Sequence, residues 1–235
     1  MKRRFLALAL ALCLLGACVG CSTTQAQINE YNATLFVQGA LDETYTGIAS
    51  DGYLKLMGST AEEVQAAYQD NLEAELSQRL AVRFQLDEDC LTKELQEDFL
   101  RLLAEVYAKA SYTVGQATAL SGGRYCVEVS VTPVTFFQAA YDDGFAALRA
   151  AFEKEHSLPD EKAQASMDAA QLKKATQRFE RLWAQEVYDY LFVRLDAVTT
   201  GPAVTKLALV TPESNGQYTL SPTDLQDIDD LVLQY

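Results

Sequence analysis

Histidine occurs once in the 235-residue chain, as His156, and tryptophan once, as Trp183. Beyond residue 21 there are two cysteines, Cys90 and Cys126, so the chain is no disulfide-dense scaffold. A single bridge between these two and a pair of free thiols both fit the sequence. One histidine and two separated cysteines offer no zinc-ligand spacing. There is no G-x-S-x-G element, no phosphate-binding P-loop and no dinucleotide-binding glycine fingerprint. Basic residues are few, 19 Lys and Arg against 33 Asp and Glu. Such a surface disfavours nucleic acid and anionic headgroups as partners. It suits solubility beside an anionic envelope, or a basic partner or cation.

What the chain does have begins at its first residue. Met1-Lys2-Arg3-Arg4 is a basic head, and Phe5 to Leu15 is an unbroken apolar run. That is the layout of a secretory leader, and the run is too short for a comfortable membrane span. Leu15-Gly16-Ala17-Cys18 then places a leucine three positions before a cysteine, with two small residues between. It resembles the bacterial lipobox, in which the thiol is diacylated before cleavage. Cys18 is the expected attachment site and Cys21 its alternative. Ordinary cleavage after Thr24-Gln25-Ala26 is a third reading. On the first, residues 1–17 are the signal peptide and 18–27 the tether. The processed chain then carries 16 basic and 33 acidic residues, a net charge of −17. Two acyl chains suffice for stable anchoring, so the expected location is the outer face of the cell membrane.

From Ile28 the periodicity is helical, with Ile28, Tyr31, Leu35, Leu41, Tyr45 and Ile48 on one face. Gly47 to Gly52 breaks that helix. Ser59-Thr60-Ala61-Glu62 reads as a capping box before a stripe of Val64, Tyr68, Leu72, Leu76 and Leu80. A third helix from about Asp89 carries Leu91, Leu95, Phe99, Leu102 and Val106. The period then changes to two. Residues 111–120 and 124–134 flank Ser121-Gly122-Gly123 as a hairpin, with Tyr125, Val127, Val129 and Val131 on one face. Helices resume at Thr135, pause at Ser157-Leu158-Pro159-Asp160, and run on from about Met167 to Val198. A second hairpin, 203–220, turns at Pro212 to Gly216, and Ser221-Pro222-Thr223-Asp224 caps a last helix.

The resulting fold class is α+β: helices packed on antiparallel β-hairpins, in two tandem cone-like units. The expected boundaries are 28–132 and 133–235, with a single domain 28–235 as the alternative. Residues 111–127 and 203–220 rhyme, which suggests a duplicated unit.

The lipobox, "YLKLMGSTAEEVQAAYQDNLEAEL", "ASYTVGQATALSGGRYCVEVSVTPV" and "NGQYTLSPTDLQDIDDLV" together resemble small surface lipoproteins of Gram-positive bacteria that carry a domain of unknown function. Helices on hairpins are also similar to nuclear-transport-factor-like and cystatin-like cone folds. The resemblance spans nearly all of the processed chain. It implies a lipid anchor and supplies no catalytic residues.

The remaining candidates for chemistry are few. His156 reads as a helix-end histidine beside the negative end of the helix dipole. Asp87-Glu88-Asp89 reads as a helix cap, and Asp227-Ile228-Asp229-Asp230 as a solvated helix face. Neither has the spacing of a calcium loop. Tyr141, Phe145, Phe152, Phe179, Trp183 and Tyr190 read as core, or as the lining of a pocket for a small apolar ligand. The sequence therefore points to a lipid-anchored envelope protein with a non-catalytic binding role and no cofactor. Its partners are the membrane and an envelope protein or small molecule. The alternatives are a small-molecule-binding module and, behind it, a carboxylate-dependent hydrolase.

Overall fold

The computed structural model describes residues 25–235 apart from 215. The described residues open in a helix over 25–46 (α1), followed by α2 (Asp51–Met57) and α3 (Ala61–Glu75). A π-helical turn, Leu76–Leu80, joins α3 to α4 (Ala81–Phe84), and α5 (Lys93–Tyr107) completes the first helical group. Next come the strands β1 (Ser111–Val114), β2 (Thr118–Ala119) and β3 (Tyr125–Thr132). The second helical group is α6 (Phe136–Ala140), a π-helical turn at Tyr141–Phe145, α7 (Ala146–Glu155), α8 (Glu161–Gln164) and α9 (Ala169–Phe192). Finally come β4 (Val204–Pro212), β5 (Tyr218–Leu220) and α10 (Pro222–Val232).

This is an α+β fold of helices on an antiparallel sheet. Both hairpins lie in that one sheet, in the order β1-β3-β4-β5, with β2 continuing the β1 edge along β3. The central ladder joins β3 to β4 from Tyr125↔Val210 to Val131↔Val204. The rhyme between the two hairpins thus becomes adjacency across a shared ladder. Tyr125, Val127, Val129 and Val131 are buried, as their alternation requires, and Ala208 and Val210 of β4 join them. Helices α1 and α10 lie on this buried face. Phe36 of α1 stacks on Tyr218 at 5.8 Å, and Ile228 and Val232 of α10 are fully buried. The residues between them point the other way, and Leu207 is 58% exposed. One cluster of buried residues runs from Ala33 to Leu233.

Several local readings move. In α1 the buried stripe is Ala33, Phe36, Val37, Leu41 and Tyr45, while Ile28, Tyr31 and Ile48 are exposed. Leu41 and Tyr45 of the expected stripe are buried, and toward the start of the helix the packed face is shifted onto Ala33, Phe36 and Val37. The α3 stripe is buried as expected, yet the capping box is one residue later: Thr60 accepts from Glu63 N–H and Glu63 accepts from Thr60 N–H. Helix α5 starts at Lys93 behind the cap Thr92, and Asp87 caps a short 3₁₀ turn before it. Helix α2 goes unannounced in the sequence because glycines flank it. Ser50 caps it, and Gly58, at φ 69°, ends it in the left-handed conformation that favours glycine.

Candidate functional site

Two regions gather chemistry, one around a buried carboxylate and one in an open groove. The first centres on Glu75, the one charged side chain among the described residues that is buried, and its charged partners Arg79 and Asp229 are partly exposed. It stands in the last turn of α3, and Arg79, four residues on, occupies the π-helical turn. Arg79 reaches Asp229 Oδ2 at 2.9 Å and Asp230 Oδ1 at 3.5 Å on α10, and donates to the Leu233 carbonyl at 3.0 Å. Its Nε lies 3.6 Å from Glu75 Oε1. Tyr45 donates to Asp229 Oδ1 at 2.9 Å, and the Arg79 guanidinium lies 4.9 Å from the Tyr235 ring centroid. Glu75 Oε1 and the Tyr235 hydroxyl are buried without a hydrogen-bond partner of good geometry.

Of the segment Asp227 to Asp230, expected as a solvated helix face, Asp227 and Asp230 are exposed and Asp229 departs from the expectation. Asp229 faces inward to Arg79 and Tyr45, whereas Asp227 pairs with Lys206 at the surface, 3.1 Å away. Burial raises the pKa of Glu75, with Tyr235 and Arg79 opposing the rise. Burial, then the Asp229 carboxylate, raises that of Tyr45 well above the ordinary phenol value. Titratable groups with displaced pKa values mark active-site candidates when they line a cleft. These instead face one another inside the packed core and join α3, α10 and the C-terminal residues as a clasp.

The open region is a groove of about 350 Å³ between the end of α7 and one face of α9. Helix α9 presents Ala175, Arg178, Phe179 and Leu182, at the spacing of one helical face. The opposite wall is the segment Glu155 to Pro159. It contains His156, which ends α7 as expected and donates its backbone N–H to Phe152 O at 2.7 Å. The imidazole rests on Phe152 at 4.9 Å, and its Nε2 lies 3.9 Å from Glu155 Oε1. Ser157 is the adjoining residue.

The aromatic residues singled out from the sequence meet each other. Trp183 is fully buried, with Phe145 at 5.7 Å, Phe152 at 5.1 Å and Arg149 4.5 Å from its ring centroid. Its Nε1 donates to the carbonyls of Phe84 and Gln85, each at 3.1 Å. Tyr190 donates to Ala140 O at 2.6 Å, and Tyr141 stacks on Phe145 at 4.7 Å. These rings fill the space between α6, α7 and α9 themselves. Phe179 alone of the six reaches the groove.

The two cysteines of the fold are free thiols. Cys90 is buried and hydrogen-bonded to Asp87 at 3.3 Å, and Cys126 is half-buried on β3. Among the described residues no group of three or more His, Cys, Asp or Glu side chains is placed to hold a metal ion, and no helix is long and apolar enough to cross a membrane. Cys18 and Cys21, the expected lipid attachment sites, lie outside the described residues.

No family model matches the chain, and no curated protein matches it by sequence. Among solved structures it is similar to "a putative lipoprotein (ycdA) from Bacillus subtilis subsp. subtilis str. 168". The TM-score is 0.50 at 10% identity, over 87% of this chain and 56% of that one. This chain thus spans little more than half the length of that protein. At such low identity the likeness carries the fold alone.

Proposed function

We propose that the protein is a lipid-anchored component of the cell envelope that acts by binding, held at the outer face of the membrane through Cys18, with Cys21 as the alternative site. The observation that carries this reading is the order of features at the amino end. A basic head and an apolar run lead to Leu15-Gly16-Ala17-Cys18, ten positions ahead of Ile28, where the helical periodicity of the sequence starts. The name of the structural neighbour supports it. A tether of ten residues, 18–27, spans at most about 36 Å, so the fold would stand close to the bilayer surface. The test is metabolic labelling with radioactive palmitate. Label is expected in the parent chain and lost in Cys18→Ser. Label retained in Cys18→Ser and lost in Cys21→Ser would move the anchor to the second cysteine. No label in the parent would end the reading.

A second reading, a small-molecule-binding module, is favoured by the open groove between α7 and α9 and not by the aromatic core, whose rings occupy their own space.

A further inference from the structure

The basic residues are not spread evenly. Lys173, Lys174, Arg178 and Arg181 fall within nine positions of α9, with Glu180 the one acid among them. In a chain whose acids outnumber its bases by 14, this is a local reversal of sign. The helix itself gains nothing from it. Basic side chains stabilise the last turn of a helix and acidic ones the first, yet α9 has no basic residue in its last turn and no acidic one in its first. Arg181 is used structurally, donating to Cys90 O at 3.2 Å. Lys173, Lys174 and Arg178 make no ion pair or hydrogen bond among the described residues.

Arg178 stands at the wall of the groove. Phe179, Leu158 and Leu182 give that groove its apolar part, and His156 and Ser157 supply a second cation-capable group and a hydroxyl. Leu158 and Leu182 are each 37% exposed, so two leucines are left partly in water beside an unpaired guanidinium. The charged groups facing this cleft are Arg178 and Glu155, and Glu155 Oε1 lies 3.9 Å from His156 Nε2. The volume, about 350 Å³, is that of a small-ligand site.

The geometry points to this groove as a binding site for a single-chain amphiphilic anion, with the head on Arg178 and the apolar body over Phe179, Leu158 and Leu182. A guanidinium pairs with carboxylate or phosphate in a planar fork, and the lysines upstream on α9 raise the local concentration of anions. This gives the binding reading above a ligand class and rests on that reading, but not on the lipid anchor.

The test uses residues 22–235, first shown to be folded by circular dichroism and a cooperative urea transition, and three ten-carbon probes: decanoate, decanol and decyltrimethylammonium. Binding is followed by calorimetry and by the emission of Trp183, which packs against Phe152 beneath the groove. Decanoate is expected to bind with one-to-one stoichiometry, at least tenfold more tightly than either other probe. Arg178→Gln is expected to weaken it about tenfold and Arg178→Lys less, while Arg124→Gln, an exposed cation on the β2–β3 turn, leaves it unchanged. Leu182→Ser is expected to weaken all three probes, and far-ultraviolet circular dichroism confirms that each variant is folded. The proposal is overturned if decanol matches decanoate, or if Arg178→Gln binds decanoate like the parent. It is also overturned if the protein binds phosphatidylglycerol vesicles through Arg178 and does not bind free decanoate. Palmitate labelling is a separate readout, so failure here leaves the anchor standing, and failure there leaves the groove.

Discussion

The Tyr45 hydroxyl and the Asp229 carboxylate are 2.9 Å apart across 184 positions of chain, and Arg79 meets the other oxygen of that carboxylate at the same distance. Three elements far apart in sequence, α1, the turn after α3 and α10, are thereby tied at one point. Arg79→Ala would leave Glu75 buried without its cation and release Asp229 and the Leu233 carbonyl. Removing one partner of a largely desolvated pair is strongly unfavourable because the remaining charge stays buried. We expect a loss of about 3 kcal/mol by urea denaturation, toward the low end for such pairs because Arg79 is partly exposed. Lys206→Ala, which breaks the surface pair with Asp227, is expected to cost less than about 1 kcal/mol. Equal losses in the two variants would dissolve the clasp.

The same cluster should leave a mark on the pH dependence of stability. Burial raises the Glu75 pKa above its ordinary 4.5. The folded state therefore holds a proton that the unfolded state has already released. The cost appears as pH rises above 4.5 and is complete once the folded-state value is passed. Glu75→Gln removes that titration. Its denaturation midpoint is expected to exceed that of the parent at pH 7, and the difference to shrink as pH falls toward 4. A variant less stable than the parent at every pH would mean that the ionised Glu75–Arg79 pair holds the core.

Much of the fold is legible in the sequence because alternation and heptad-like stripes report burial directly. Val127, Val129 and Val131 announced one face of a strand, and Val64, Tyr68 and Leu72 one face of a helix, and all are buried. The clasp was not legible for the opposite reason. Glu75, Arg79 and Asp229 look like ordinary surface charges on helices, and only the packing of α10 against α3 makes them partners. The first π-helical turn was not legible because the steps Leu72, Leu76 and Leu80, four residues each, fit an α-helical stripe as well. The groove was half legible. His156 and Phe179 stood out as types, but nothing in the sequence joined Arg178 and Leu182 to the segment after α7.

Gly39 lies within α1, where glycine ordinarily costs a helix about 1 kcal/mol relative to alanine. Here an added Cβ would fall 2.0 Å from Cδ2 of Tyr53, whose buried ring lies across the helix and whose hydroxyl donates to Glu43 at 2.7 Å. Gly39→Ala is therefore expected to destabilise by about 2–3 kcal/mol, the range of an overpacked core, and to lower the thermal midpoint. A raised midpoint would mean that α2 does not dock on α1 as described.

The free thiols should differ in reactivity. Burial, then the hydrogen bond to Asp87, pushes the Cys90 thiol up to about 11. At pH 8 almost none of it is thiolate, the species that attacks an alkylating agent. Cys126 is half-buried on β3. With iodoacetamide on the folded protein, Cys126 is expected to label first, and Cys90 at least tenfold more slowly until denaturant is added. The discriminating measurement is the order of the two modified peptides by mass spectrometry.

Gln85 ends α4 at φ 56° and ψ 47°, the one non-glycine residue with positive φ among the described residues. A side chain in this left-handed conformation costs roughly 1–2 kcal/mol, which glycine avoids. The conformation has a use. It turns the carbonyls of Phe84 and Gln85 together toward the indole N–H of Trp183, which bonds to both. Gln85→Gly keeps those carbonyls and removes the strain, at the cost of a more flexible unfolded chain, so we expect a net gain of about 0.5–1 kcal/mol with Trp183 emission unchanged. Gln85→Val places a β-branched side chain in the same backbone and is expected to destabilise by about 1 kcal/mol or more and to shift the emission, because the turn must open. If glycine and valine behave alike, the left-handed turn is not what presents these carbonyls to the indole.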